Sequence, residues 1–246
     1  MRFFIQFSYD GTNYHGWQKQ PNADSVQDKM NKAISTILNT NIELVGAGRT
    51  DAGVHAHQMF AHFDCDLEIQ SKILINKING FLPSDIAIND IFRVKKDANC
   101  RFDAIDRTYK YRIISKKNPF VKNAYLFKKK LDIKNMNLAC KNILGKKDFT
   151  SFSKVKTQTY TNICHITKAE WVESDNELIF IITADRFLRN MVRAIVGTLM
   201  DVGMGRISAD FLNDIISQKD RSKSGVSVPA NGLSIIKVNY HNSIRF

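Results

Sequence analysis

A glycine-bounded turn constrains the fold of this chain more than any other sequence feature. Residues 48–56 read GRTDAGVHA, and the flanking runs 42–45 and 54–63 have the apolar pattern of β-strands. The glycines of the turn permit positive φ or a close backbone approach, so the chain can reverse sharply. The sequence therefore predicts one rigidly held carboxylate, Asp51, at the edge of a sheet, with the guanidinium of Arg49 beside it.

The spacing of this turn is compatible with more than one role. An Arg49–Asp51 pair could simply pin a tight hairpin. A metal site is a second alternative, because residues i and i+2 of a strand face the same side and His55 and His57 have that spacing. No further cluster of His, Cys or Glu completes a coordination sphere in the sequence. Spacing alone therefore leaves the role of Asp51 open.

Helical and strand periodicities alternate along the chain. Alternating patterns such as Phe3–Tyr9 predict strands, and Ser25 followed by apolar residues at helical spacing predicts a helix start. Helices, hairpins and few long crossovers together predict an α+β fold with largely antiparallel sheets. We expect two halves, residues 1–104 and 105–246, without a clear internal repeat. The further predicted helices are 73–78, 136–144, 187–200 and 211–216, and the further predicted strands are 86–94, 107–114, a pair at 171 and 177–183, and 233–240.

The charge balance favours a polyanionic partner. Lys and Arg total 36 against 24 Asp and Glu, which gives a net charge of +12, and an excess of this size is typical of nucleic-acid-binding proteins. No export signal and no run approaching the ~20 apolar residues of a membrane helix is present. The cysteines show no C-x-x-C spacing and are expected as reduced thiols, which predicts a cytoplasmic protein.

The run 107–114 places two tyrosines on one strand face and two cations on the other. Tyr109 and Tyr111 alternate with Lys110 and Arg112. The pattern fits an ordinary sheet with a core face and a solvated face, and it also fits a base-stacking platform beside phosphate contacts. One tyrosine is expected to stack while the other packs.

Three arginines lie on the predicted helix 187–200 or immediately before it. Arg186 lies at its start, whereas Arg189 and Arg193 are four residues apart and are expected to share a helical face. Arg193 interrupts an apolar run. An arginine on a partly buried face needs a carboxylate partner, and Asp51 is the candidate.

Five segments in the same order resemble motifs of one enzyme family. GAGRTDAGVHA (46–56) is similar to the active-site motif of the tRNA pseudouridine synthase A family. The ordered matches span nearly the whole chain and favour a catalytic turn over a pinned hairpin. The other matching segments are YDGTNYHGWQKQ (9–20), RTYKY (107–111), DFTSF (148–152) and FLRNMVRAIVG (187–197).

The resemblance implies isomerisation of uridine to pseudouridine at positions 38, 39 and 40 of the tRNA anticodon stem-loop. It implies two ferredoxin-like halves flanking a central catalytic cleft, the pseudouridine synthase fold, and a homodimer in which each tRNA touches both subunits. No metal or other cofactor is expected, because the reaction needs no redox change or energy input. The rivals are an RNA-binding module that has lost catalysis, and a metal-dependent hydrolase using His55 and His57.

The resemblance also implies roles for four residues. Asp51 is the catalytic carboxylate, either as nucleophile at C1′ or as base at C2′. Arg193 pairs with the aspartate and favours its ionised form. Tyr109 stacks on the uracil, which must leave its base stack at a cost of a few kcal/mol. Arg49 occupies the space that the base leaves behind.

Two further segments correspond to tRNA contacts in the family. ANCRF (98–102) keeps the family's Arg-Phe but carries Asn99 and Cys100 where His-Ala is commoner. The segment 154–159 corresponds to a tRNA-contacting loop. The implied tRNA-binding residues are Arg101, Phe102, Lys154 and Lys156.

Overall fold

The structure is a computed structural model that describes residues 1–155, 159–174 and 177–245. The chain divides into two compact units, Met1–Ile105 with Ser234–Phe246, and Asp106–Leu233. The strands of the described residues are β1 (Arg2–Tyr9), β2 (Val45–Gly46), β3 (His55–Asp64), β4 (Ile86–Val94), β5 (Ala104–Ile114), β6 (Tyr125–Leu126), β7 (Gly145–Asp148), β8 (Ile163–Ser174), β9 (Glu177–Ala184) and β10 (Leu233–Tyr240). The α-helices are α1 (Val26–Leu38), α2 (Ser71–Phe81), α3 (Ile133–Lys141), α4 (Met191–Gly203) and α5 (Phe211–Gln218).

The first unit is a mainly antiparallel sheet with two helices. Its strand order is β4–β1–β3–β10, with β2 added to β3. β1 pairs antiparallel with both β3 and β4, whereas β10 pairs parallel with β3. The Ser25 hydroxyl accepts the backbone N–H of Asp28 at the start of α1, and Asn39, at φ 47°, ends that helix. Both signals are local, so the sequence predicts this helix well.

The second unit is also mainly antiparallel. Its strand order is β5–β9–β8–β7, antiparallel at each pairing, and the short β6 pairs parallel with β5. α3 packs against β8 and α4. Eleven of the thirteen residues of α4 are buried, and the exceptions are Arg193 and Asp201. Helices combined with mainly antiparallel strands in each unit confirm the predicted α+β class.

The predicted element boundaries are wrong at α4. The helix begins at Met191 because Asn190 adopts the left-handed conformation, with φ 66°, and cannot continue a helix backwards. Arg186 and Arg189 therefore precede the helix, and the expected helical face shared by Arg189 and Arg193 does not exist. Three other elements differ less from the prediction. The strand predicted at 42–45 is Val45–Gly46, the helix predicted at 73–78 is Ser71–Phe81, and the helix predicted at 136–144 is Ile133–Lys141.

The last strand lies in the first unit rather than with the residues that precede it. β10 pairs parallel with β3, the Val238 N–H donates to Gln58 Oε1 at 3.0 Å, and the Tyr240 hydroxyl donates to the Cys100 carbonyl at 2.6 Å. The first unit therefore holds residues from both ends of the chain. The expected division into functional halves at 104/105 stays a prediction.

The described residues contain no helix with the length and apolar character needed to cross a membrane. The four cysteines, Cys65, Cys100, Cys140 and Cys164, are buried free thiols. Burial raises the pKa of the Cys140 and Cys164 thiols to about 12 each, so both are protonated at neutral pH.

Candidate active site

Asp51 lies half-buried on the turn between β2 and β3. The Val54 N–H donates to the Asp51 carbonyl at 3.2 Å, and Gly53 has φ 76°. Gly53 also donates its N–H to the Tyr14 carbonyl at 3.2 Å. The backbone on the carboxyl side of Asp51 is therefore held both within the turn and by a segment near the start of the chain.

The Thr50 hydroxyl anchors the other side of the turn. Its Oγ1 lies 2.9 Å from the hydroxyl of Tyr9 and accepts the Trp17 N–H at 3.0 Å. Gly16 passes so closely that a Cβ there would lie 2.2 Å from the Thr50 carbonyl oxygen, and its φ is 92°. A glycine is required at this point, because a side chain would clash and the backbone is left-handed.

The opening segment, residues 9–18, is itself fixed to the first unit. Trp17 is buried and stacks on Phe7 with ring centroids 4.9 Å apart. The Tyr14 hydroxyl donates to Asp85 at 2.6 Å, and burial together with this bond raises the pKa of Tyr14. The segment is therefore a rigid brace for the Asp51 turn.

His55 also contacts the opening segment. The Gly11 N–H donates to His55 Nδ1 at 3.0 Å, and the same nitrogen lies 3.0 Å from Asp10 Oδ1. His55 is 2% exposed, whereas His57 is exposed. The two imidazoles therefore lie in different environments, and within the described ranges no group of three His, Cys, Asp or Glu side chains could hold a metal ion.

Arg49 reaches outward from the turn. Its side chain is exposed, and its Nε donates to Gln18 Oε1 at 3.0 Å. The opening segment thus contacts both residues that precede Asp51, through Thr50 and through Arg49. The guanidinium is positioned at the surface two residues from the carboxylate.

The two tyrosines of β5 have different surroundings. Tyr111 is fully buried, its hydroxyl donates to the Pro229 carbonyl at 2.8 Å, and burial raises its pKa. Tyr109 is half-buried and packs edge-on against Phe187, with ring centroids 5.1 Å apart. Tyr111 is therefore the tyrosine that packs in the core, as one of the two was expected to.

The cations of β5 are less available to phosphate than the strand pattern predicts. Arg112 donates from Nε and Nη2 to both carboxylate oxygens of Glu177, at 2.8 and 2.5 Å. Burial and the neighbouring Arg112 charge lower the pKa of Lys110. The ion pair commits Arg112 to the structure of the second unit, and only one of the two predicted phosphate contacts is left on this face.

Arg193 is held by a backbone segment that runs along α4. Its Nε donates to the Val228 carbonyl at 2.7 Å, and the Val228 N–H donates to the Arg193 carbonyl at 3.3 Å. A Cβ at Gly197 would lie 1.9 Å from the Val226 carbonyl oxygen, so this helix position must be glycine. Arg193 is thus a half-buried guanidinium with a fixed orientation on a buried helix.

The segment 98–102 forms a capped turn. Asn99 Oδ1 accepts the N–H of Arg101 at 3.0 Å and of Phe102 at 3.3 Å. Phe102 is 76% exposed, and the Arg101 guanidinium lies 5.5 Å from its ring centroid. Asn99 therefore presents the arginine and the aromatic ring together at the surface.

Cys100 takes an interior position in the same turn. It is buried, its Sγ donates to the Val45 carbonyl at 2.9 Å, and it lies 3.2 Å from His62 Nδ1. Asn99 and Cys100 thus both have defined partners in this turn, and Arg101 and Phe102 are exposed beside them. In the other implied tRNA-binding segment, Lys154 is exposed and donates its backbone N–H to the Arg189 carbonyl at 3.0 Å, and Lys156 lies outside the described residues.

The residues that sequence reasoning missed are those that brace the turn. Tyr9 and Trp17 belong to a recognised motif, but their hydrogen bonds to Thr50 join positions 41 and 33 residues apart. No local pattern encodes such contacts. The glycines at 11 and 16 are the one available signal, because glycine marks a close backbone approach.

Comparisons with known proteins identify the family of the chain. A family model described as tRNA pseudouridine synthase matches residues 5–103 and 139–241. A protein of Bacteroides thetaiotaomicron named tRNA pseudouridine synthase A is 49% identical over 247 residues, covering 99% of this chain and 92% of that protein. Proteins of the same name from Bacteroides fragilis and Francisella tularensis subsp. novicida are 50% and 37% identical, covering 99% and 97% of this chain and 98% and 93% of theirs.

The matched residues include the Asp51 turn, the opening segment that braces it and the Arg193 helix. Matches of this extent place the chain in a class of RNA-modifying isomerases. It belongs to the tRNA pseudouridine synthase family.

Proposed function

We propose that the protein converts uridine to pseudouridine at positions 38, 39 and 40 of the tRNA anticodon stem-loop. The N1–C1′ bond breaks, the uracil turns, C5 bonds to C1′, the hydrogen of C5 leaves as a proton, and the freed N1 takes up a proton. The reaction conserves atoms and oxidation state. The observation that carries the proposal is the braced turn with Asp51, in a chain whose family match includes that turn.

Asp51 supplies the ionised carboxylate at the ribose, as nucleophile at C1′ or as base at C2′. A catalytic group must be held within a fraction of an ångström of its productive position. The Thr50, Gly53 and Val54 contacts provide such rigidity to the backbone on both sides of Asp51. All of these contacts lie within the first unit.

Arg49 is proposed to fill the space left when the target uridine leaves the stem. Unstacking a base costs a few kcal/mol, and a side chain that replaces it offsets part of that cost. Arg49 is exposed and is oriented by Gln18. Arg49→Ala should still bind tRNA while turnover falls at least about tenfold, and turnover at the wild-type rate would refute this role.

Tyr109 and Arg193 are proposed to serve the same reaction from the second unit. Tyr109 is the half-buried tyrosine of β5 and is assigned to stacking on the uracil. Arg193 has an orientation fixed by Val228 and is assigned to support the ionised state of the catalytic carboxylate. The Arg193 helix lies in a segment that the family model matches, whereas Tyr109 rests on the RTYKY motif.

The partner and its contacts are part of the proposal. Arg101, Phe102, Lys154 and Lys156 are assigned to tRNA binding, and the exposed Arg101–Phe102 pair offers both a cation and a stacking ring. We expect a homodimer acting on tRNA in the cytoplasm. Light scattering of the purified protein at micromolar concentration measures the dimer directly.

The test of position uses tRNA transcripts labelled with tritium at uracil C5. Four substrates are compared. Each of the first three carries uridine at only one of positions 38, 39 and 40, and the fourth carries uridine at none of them. The proposal predicts tritium release from the first three and none beyond background from the fourth. Equal release from the fourth substrate would overturn the assigned positions, and no release from any would overturn the activity.

A further inference from the structure

Two lysine runs, at 116–117 and 128–130, meet at one edge of the second unit. Ile114 and Leu126 are the last residues of β5 and β6, and they are paired in a parallel ladder. The Phe127 N–H continues the ladder to the Ile114 carbonyl at 2.8 Å. Because parallel strands run in the same direction, residues 115–117 and 127–130 leave the sheet side by side, starting about 4.8 Å apart.

We name the exposed lysines of residues 115–130 the lysine edge. This stretch contains no Asp or Glu. Among the described residues none of these ammonium groups forms an ion pair, and their six charges equal half of the net +12 of the chain. The members of the lysine edge are Lys116, Lys117, Lys122, Lys128, Lys129 and Lys130.

Two carboxylates that border this stretch, one in the sheet and one in the sequence, have hydrogen-bond partners of their own. Glu177 lies opposite Ile114 in the β5–β9 ladder, and Arg112 holds both of its oxygens. Asp132 caps α3 by accepting the Asn135 N–H at 3.0 Å. Arg112 neutralises Glu177, and residues 115–130 carry no acid of their own, so the positive charge of the lysine edge is not balanced within that stretch.

An aromatic side chain projects from the loop between the two runs. Asn118 Oδ1 accepts the Phe120 N–H at 3.0 Å, and the Val121 N–H donates to the Asn118 carbonyl at 3.2 Å. This ordered turn leaves Phe120 92% exposed. A large exposed aromatic ring among cations is typical of single-stranded nucleic-acid binding.

We propose that the lysine edge is a second tRNA-binding surface, on which the lysines contact backbone phosphates and Phe120 stacks on an unpaired base. The inference rests on the proposed function for the identity of the RNA. Residues 104–138 separate the two segments that the family model matches, so the surface lies outside the matched residues. Lysines act on phosphates as point charges, which suits a backbone contact without sequence reading.

The test compares two substitutions of equal charge. The variant K128Q/K129Q/K130Q removes one run, and K72Q/K77Q/K96Q removes three exposed lysines of the first unit. Binding of an unmodified tRNA transcript is measured from about 50 to 300 mM salt. Each lost phosphate contact reduces the slope of log K against log salt by about 0.9. We expect a reduction of about two to three for the first variant, with at least tenfold weaker binding at about 100 mM salt, and a markedly smaller change for the control.

Phe120→Ala separates stacking from charge. Because stacking is not ionic, this variant should weaken binding several-fold at all salt concentrations and leave the slope unchanged. If this variant bound tRNA with the affinity of wild type, Phe120 would not be part of the tRNA-binding surface.

Equal slopes for K128Q/K129Q/K130Q and K72Q/K77Q/K96Q would overturn the proposal. Unchanged tRNA binding together with lost sedimentation on phosphatidylserine vesicles would overturn it in favour of a membrane-binding surface. Tritium release by wild type is measured on the same preparations. Its absence would refute the proposed activity, while the binding curves still decide the lysine edge.

Discussion

The hydroxyl of Thr50 lies 2.9 Å from the hydroxyl of Tyr9, although 41 residues separate them in the sequence. The same oxygen of Thr50 accepts the Trp17 N–H at 3.0 Å. A residue adjacent to the proposed catalytic carboxylate is thereby joined to β1 and to the opening segment. These contacts hold the backbone next to Asp51 in place.

Removing the Thr50 hydroxyl should impair turnover more than substrate binding. Thr50→Val keeps the shape of the side chain but loses both hydrogen bonds, so kcat should fall by about 100-fold, the usual effect of a displaced catalytic group. Thr50→Ser keeps the hydroxyl and should restore kcat to within a fewfold of wild type. Steady-state kinetics with tRNA would contradict this account if both variants turned over equally well, or if only KM changed.

Gly16 should not tolerate a side chain. Gly16→Ala combines a φ of 92° with a Cβ placed 2.2 Å from the Thr50 carbonyl oxygen, and it should cost at least about 2 kcal/mol of unfolding free energy. Gly80→Ala is the matched control. A Cβ at Gly80 in α2 meets nothing within 4 Å, and helix propensity favours alanine by about 1 kcal/mol. Urea unfolding gives the change in unfolding free energy for each variant. Equal changes for the two substitutions would contradict the close packing at Gly16.

The two tyrosines of β5 should separate stability from activity. Tyr111→Phe loses the bond to Pro229 in the core and should lower the unfolding free energy by about 1 kcal/mol. Tyr109→Leu should leave stability nearly unchanged but lower kcat/KM by about 10-fold to 100-fold, because a stacked base is worth about 1–3 kcal/mol. Tyr109→Phe retains a ring and should lose less. Thermal unfolding and tritium release are measured on the same samples. A loss of activity for Tyr111→Phe with full activity for Tyr109→Leu would contradict the assignment.

His62 should make the protein less stable in mild acid. Burial lowers its pKa below the usual value of about 6.5, and the nearby Arg2 charge acts in the same direction. Below that value the unfolded chain binds a proton that the folded protein does not, so stability falls as pH falls from about 6.5 towards the folded pKa. His62→Gln removes this contribution. Urea midpoints at pH 7 and pH 5.5 should therefore fall more for wild type than for the variant, and an equal fall would contradict the prediction.

Features encoded within one segment could be predicted from the sequence. The start of α1 follows from Ser25 and the apolar spacing after it, and Asp51 stands in a contiguous motif. The start of α4 could not be predicted, because Asn190 lies inside the helical pattern of 187–200 yet adopts a left-handed conformation. The parallel pairing of β10 with β3 joins chain segments more than 170 residues apart. Contacts of that range depend on the assembled sheet, and so does the brace around Thr50.

Asp51→Asn removes the carboxylate on which the proposed chemistry depends. Tritium release from tRNA labelled at uracil C5 is compared for wild type, Asp51→Asn and Asp66→Asn, an exposed carboxylate that interacts with the N-terminal amine. Asn has nearly the same shape as Asp but cannot act as the ionised group. We expect release by wild type and Asp66→Asn, and no release above background by Asp51→Asn despite retained tRNA binding. Release by Asp51→Asn at the wild-type rate would contradict this expectation.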